Sequence, residues 1–176
     1  LPAFGFPTKE NYRKAQAAAS LALEIDPDLA EALTGLASIS ENHFEWARAE
    51  NEYRRAIELD PGYPTAHQWY SQMLCTLGRP SEGLVHARRA VELDPLSLII
   101  NLILGRNLYC LRRYDQAIDQ YRKTVELDTN WPWGYYEMGV VFEAQGRWEE
   151  AINAYQIAMR LTNDKFVIMG DLGRCY

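Results

Sequence analysis

Ile25-Asp26-Pro27 returns as Leu59-Asp60-Pro61, again as Leu93-Asp94-Pro95, and then as Leu127-Asp128-Thr129, each time 34 residues further on. Proline lacks a backbone donor and drives the residue before it out of the helical region, so each Asp-Pro is read as the end of a helix. Working outward, small residues keep the same period. One row is Ala15, Ala49, Gly83, Ala117 and Ala151, and a second is Ala22, Ala56, Ala90, Thr124 and Ala158. Ala37, Ser71, Gly105, Gly139 and Gly173 form a third. Four rows in one register mark an internal repeat.

Within a period the pattern is helical. Tyr114, Ala117, Ile118, Tyr121 and Val125 fall on one stripe of an amphipathic helix. Gly78-Arg79-Pro80 and Gly146-Arg147 interrupt the pattern midway, so each period holds two helices of roughly 14 residues joined by a tight turn. Small residues let the two helices approach. Gly105 and Gly139 are expected to meet Ala117 and Ala151, while Tyr53, Tyr121, Tyr155, Leu104 and Met138 fill the gaps. One hairpin cannot bury its own apolar face, so neighbours must stack into a continuous core.

A helix–turn–helix unit with the pattern Leu-Gly…Tyr…Ala…Tyr…Ala…Pro resembles the tetratricopeptide repeat. The resemblance covers nearly the whole chain. It implies an all-α fold, a right-handed α-solenoid of antiparallel helix hairpins with about ten helices, as one body over 1–176. Complete repeats are expected at 30–63, 64–97, 98–131 and 132–165, with a lone second helix at 8–25 before them and a lone first helix at 166–176 after them. Phe44 and Arg112 stand where the turn glycine belongs. A second resemblance, carried by Tyr63 to Tyr70 and Asp94 to Asn101, is to repeat regions of bacterial multidomain regulators fused to winged-helix, kinase or cyclase domains. The chain begins without Met, so it is read as part of a larger protein.

In such stacks the first helices of successive repeats line a concave groove. The resemblance therefore implies partner binding at Gln68, Gln72, Ile99, Leu102, Arg106, Tyr109, Trp133, Tyr136, Val140 and Glu143. The groove's amino-terminal half is polar, with Glu31, Ser38 and Glu41, whereas its carboxy-terminal half is aromatic around Arg106. Aromatics beside an arginine are the composition of a binding hot spot. The Lys, Arg and Asn clamp of the chaperone co-factors in this family is missing from the matching positions. The leading expectation is a scaffold or peptide-binding module that grips a protein or peptide partner. The alternative is a substrate-recruiting accessory region of an enzyme, a kinase, cyclase or glycosyltransferase, whose catalytic domain lies outside this chain.

Other chemistry is disfavoured. The 176 residues carry a formal net charge of −6, which opposes nucleic-acid binding because phosphates are recognised by net basic surfaces. A membrane span needs about 20 apolar residues, and the longest apolar run, Leu96 to Leu104, is far shorter. His43, His67 and His86 are scattered, with no HExxH, no paired Cys/His spacing and no glycine-rich phosphate loop, so neither catalysis nor a cofactor nor a metal is expected. Cys75, Cys110 and Cys175 are odd in number and lack CxxC spacing; they are read as thiols of a reducing, cytoplasmic setting. Arg54 with Glu58, Arg88 with Glu92 and Arg122 with Glu126 are read as surface pairs on second helices. Phe166, Val167, Met169 and Leu172 give the last helix an apolar open end, expected to act as a cap or to pair two copies as a homo-oligomer.

Overall fold

A computed structural model describes residues 9–162, together with 168, 169, 171, 173 and 175. The chain divides into two compact units, Leu1–Leu93 and Asp94–Tyr176. The first holds α1 (Lys9–Ile25), α2 (Ala30–Asn42), α3 (Trp46–Leu59), α4 (Pro64–Thr76) and α5 (Pro80–Leu93). The second holds α6 (Leu98–Cys110), α7 (Tyr114–Leu127), α8 (Pro132–Ala144) and α9 (Trp148–Leu161). Among the described residues there is no strand, and Ile168, Met169, Asp171 and Gly173 are helical. In the first unit α2–α3 and α4–α5 are hairpins; in the second, α6–α7 and α8–α9. Of the expected last helix, Phe166, Val167 and Leu172 lie outside the described residues, and Met169 is exposed.

Turn chemistry explains where these helices stop. Asp60 caps α3 at its carboxyl end, and its Oδ1 accepts from Gly62 N at 2.8 Å; Asp26 and Asp128 accept from Asp28 N and Asn130 N in the same way. The recurring aspartate is thus a turn former as well as the neighbour of a proline. Pro64, Pro80 and Pro132 open the following helices at the position where no backbone donor is required. Within each hairpin the first helix closes with a bond from the residue three past the helix to a carbonyl five back. Glu45 N bonds Ser40 O, Arg79 N bonds Leu74 O, Arg113 N bonds Leu108 O, and Arg147 N bonds Phe142 O, all at 2.8–2.9 Å.

That closure requires a left-handed residue. Gly78 and Gly146 supply it with φ of 74° and 71°, and Phe44 and Arg112 are forced into it at 61° and 57°. A side chain there costs about 1–2 kcal/mol relative to glycine. Arg112 is exposed, so Arg112→Gly should raise stability by about 1 kcal/mol, read as a higher midpoint of urea unfolding. An unchanged or lower midpoint would mean that the turn is not strained.

Packing follows the two helix types. Second helices bury a narrow stripe: Ala49, Tyr53 and Ala56 on α3, and Ala151, Ala154, Tyr155 and Ala158 on α9. First helices are enclosed more broadly, as α6 is from Ile100 through Gly105 and again at Asn107 and Leu108. In the first unit Ala37, Ala49, Tyr53, Tyr70, Met73 and Leu74 form one cluster, flanked by Trp46, Trp69 and Leu77.

Two sequence readings need correcting. Gly105 and Gly139 do not chiefly accommodate alanine: a Cβ on Gly105 would lie 2.2 Å from Tyr121 Cε1, and one on Gly139 would lie 2.5 Å from Tyr155 Cε1. Each glycine makes room for the tyrosine ring of its partner helix. The surface pairs also differ. Arg54 bonds Glu50 at 2.7 Å, Arg122 bonds Asp119 at 3.2 Å, and Glu92 is held by Arg89 at 3.0 Å. An acid one turn before its base is favoured over the reverse order, which explains the first two.

Candidate functional site

Ile99, Leu102, Arg106 and Tyr109 recur at three- and four-residue steps and therefore share one face of α6. Trp133, Tyr136, Val140 and Glu143 occupy the same repeat positions on α8, which packs against α6 within the second unit. Leu102 is buried and Ile99 is 55% exposed, while Arg106, Tyr109 and the four α8 residues are half-buried. The remaining two expected residues belong to α4 of the first unit, where Gln68 is buried and Gln72 exposed.

The polar centre of the α6–α8 face is an ion pair that crosses the two helices. Arg106 Nε donates to Glu137 Oε1 at 2.9 Å, and Arg106 Nη2 makes a second, shorter bond to the same oxygen. The Glu137 side chain is only 8% exposed, against 44% for Arg106, so the carboxylate is the buried partner. Tyr121 OH approaches Glu137 Oε2 at 3.4 Å. Burial disfavours the charge on Arg106, but the charge of Glu137 and its bonds outweigh it and hold the guanidinium above its ordinary pKa. Among the described residues Arg106 Nη1 has no acceptor, and the side chain is 44% exposed.

The aromatic part is held in place by hydrogen bonds. Tyr136 OH donates to Asp171 Oδ2 at 2.7 Å, and its ring meets Trp133 edge to face at 5.7 Å between centroids. Burial and the bond to Asp171 push the Tyr136 phenol well above its ordinary pKa, so it stays a neutral donor. Glu143 accepts from Tyr155 OH at 2.8 Å, as Glu41 accepts from Tyr53 at the matching place in the first unit. Position 109 is a tyrosine rather than a glutamate. There the buried Tyr121 hydroxyl turns to Glu137, and the Tyr109 ring packs on Tyr114 at 5.8 Å.

Sequence reasoning missed Glu137 and Asp171, which fix Arg106 and Tyr136. Glu137 stands in the row Gly35, Trp69, Ile103. One acid in an otherwise nonpolar row was a usable signal. Among the described residues no three His, Cys, Asp or Glu side chains gather as a metal site, and no helix is long and apolar enough to cross a membrane.

The face offers an aromatic pair, one half-exposed guanidinium and an aliphatic edge. Family models agree with the hairpin geometry: "Tetratricopeptide repeat" matches residues 40–97 and 135–166, and "TPR repeat" matches 105–146. No curated protein matches the chain. Among solved structures, YrrB, a TPR protein with an unusual peptide-binding site, is 21% identical at a TM-score of 0.71, over 92% of this chain and 83% of its own. TTC0263, a thermophilic TPR protein of Thermus thermophilus, is 18% identical at a TM-score of 0.81, over 94% of this chain and 91% of its own. PilW, a widely conserved type IV pilus biogenesis factor, is 20% identical at 0.82, over 94% and 79%. At such identities the likeness speaks to fold, which is all-α and of the solenoid class. Because the hairpins, their left-handed closures and the family matches fall in one register, this chain belongs to the tetratricopeptide repeat proteins, whose repeats are generally non-catalytic protein-interaction modules.

Proposed function

We propose that this chain binds a peptide segment of a partner protein across the α6–α8 face. Ile99, Tyr109, Trp133 and Tyr136 supply apolar contact, and Nη1 of Arg106 takes a carbonyl or carboxylate oxygen. The observation that carries the reading is the fixed Trp133–Tyr136 pair, anchored through Asp171 beside a guanidinium already oriented by Glu137. Side chains locked before binding lose little rotamer freedom on contact, which favours affinity. The peptide-binding site of YrrB, a protein of like fold, supports this assignment. Arg106 is shared with Glu137 rather than given up by it, so the partner's oxygen adds to the pair without replacing it. The module serves as a scaffold.

The test is a displayed peptide library selected on the whole chain, with the dissociation constant of an enriched peptide measured against variants. Trp133→Ala combined with Ile99→Ala should weaken binding by about tenfold or more, the scale of a lost hot spot, with the helical circular dichroism unchanged. Equal binding by the double variant would move the site elsewhere.

A further inference from the structure

Two imidazoles 19 residues apart in the chain meet inside the second hairpin of the first unit. His67 on α4 and His86 on α5 place their Nδ1 atoms 3.1 Å apart. His67 is buried and His86 half-buried. His67 Nε2 lies 3.2 Å from the Pro61 carbonyl oxygen, which can only accept, so that nitrogen carries the proton. A neutral His67 then has a bare Nδ1, and His86 Nδ1–H must be the donor. The Pro61 carbonyl thereby fixes both tautomers, and one proton lies between the facing nitrogens.

The charged surroundings come from three elements. Arg54 of α3 and Arg89 of α5 oppose a positive charge on the pair, while Asp60, in the turn before α4, and Glu82 of α5 favour it. Glu82 is already bound by Arg79, as is Glu50 of α3. Tyr70 of α4, whose ring lies 4.6 Å from that of His86, donates to Glu50 and accepts from Arg54. The nearest carboxylates are therefore compensated before any histidine charges.

We infer that His67 and His86 are a proton-operated catch that holds α4 to α5 when neutral and releases it in acid. A first added proton settles on His86 Nε2 and leaves the bond between the rings intact. A second has to occupy His67 Nδ1, and two N–H groups then oppose each other across 3.1 Å. Burial sets both imidazoles below the ordinary histidine range, His86 down to about 4. The unfolded chain takes up these protons near pH 6.5, before the folded chain does. Between those limits the unfolded state binds more protons, so the stabilisation is complete above about pH 6.5 and is lost as pH falls toward 4.

Hydrogen exchange of the whole chain, corrected for intrinsic rates, tests this at about pH 7.5 and about pH 5. The α4 and α5 amides should lose protection by about tenfold for each pH unit of displaced titration, and those of α8 and α9 by less. His86→Phe, which keeps a flat ring beside Tyr70, should lose most of that difference. If the variant does not fold, imidazole NMR of the unaltered protein decides, because His67 and His86 must titrate as a coupled pair below the ordinary range. The same pH response in His86→Phe, or two independent titrations at the ordinary value, overturns the inference.

Discussion

Tyr121→Ala is expected to destabilise the second unit by about 3–5 kcal/mol, the cost of removing a fully buried aromatic ring. Tyr121 is 0% exposed, and its ring lies against the backbone of Gly105, where no side chain is present to collapse into the void. The cavity therefore persists, and the cost sits high in that range. Tyr121→Phe separates packing from polarity. The phenol reaches Glu137 only at 3.4 Å, a long bond, so the phenylalanine variant should lose about 1 kcal/mol. Urea unfolding followed by circular dichroism measures both. A loss below about 1 kcal/mol for Tyr121→Ala would mean that the hairpin closes over the gap and that the ring is not its keystone.

Gly105→Ala should also destabilise, by less than loss of the ring, although alanine is the better helix former. The helix interior gains about 0.5–1 kcal/mol from the exchange. Against this, the new Cβ would sit 2.2 Å from Tyr121 Cε1 and 2.7 Å from Cδ1 and Cζ, and the ring is enclosed. Overpacking of that kind costs about 1–3 kcal/mol or more, so the net sign is destabilising. Gly139→Ala meets Tyr155 in the same way, at 2.5 Å. Gly35, in the interior of α2, has nothing within 4 Å of the added carbon, so Gly35→Ala should stabilise by the helix term alone. Combining Gly105→Ala with Tyr121→Ala should cost clearly less than the sum of the two, since removing the ring vacates the space that the new Cβ fills. Strict additivity would refute the steric account.

These two sites show how far the sequence could be read. Gly105 and Gly139 were recognisable as a row of small residues, and the row does mark close approach. Which group approaches was not recognisable, because a 34-residue period aligns Gly105 equally with Ala117 and Tyr121. The same limit governs the α6–α8 face. Arg106, Tyr109, Trp133 and Tyr136 were identified as residues the repeat leaves unconstrained. Glu137 and Asp171, which hold Arg106 and Tyr136, were not, since they lie 31 and 35 residues from their partners. Arg54 had an acid one turn away on either side, and only the structure shows that Glu50 holds it, together with Tyr70 and Arg79.

The sequence by itself determined the helices, their ends and their pairing into hairpins. Those features depend on short-range chemistry: backbone donors removed by proline, carboxylates that cap turns, and apolar spacing that matches the helical repeat. Even the left-handed residues were marked, by Gly78 and Gly146 and by the aligned Phe44 and Arg112. The tertiary structure alone decided which side chains meet across helices: Arg106 with Glu137, Tyr136 with Asp171, His67 with His86, and the tyrosines with glycine. Such pairings turn on differences of an ångström in helix separation and on side-chain rotation about the axis. Periodicity fixes a residue's face, but not the atom it touches.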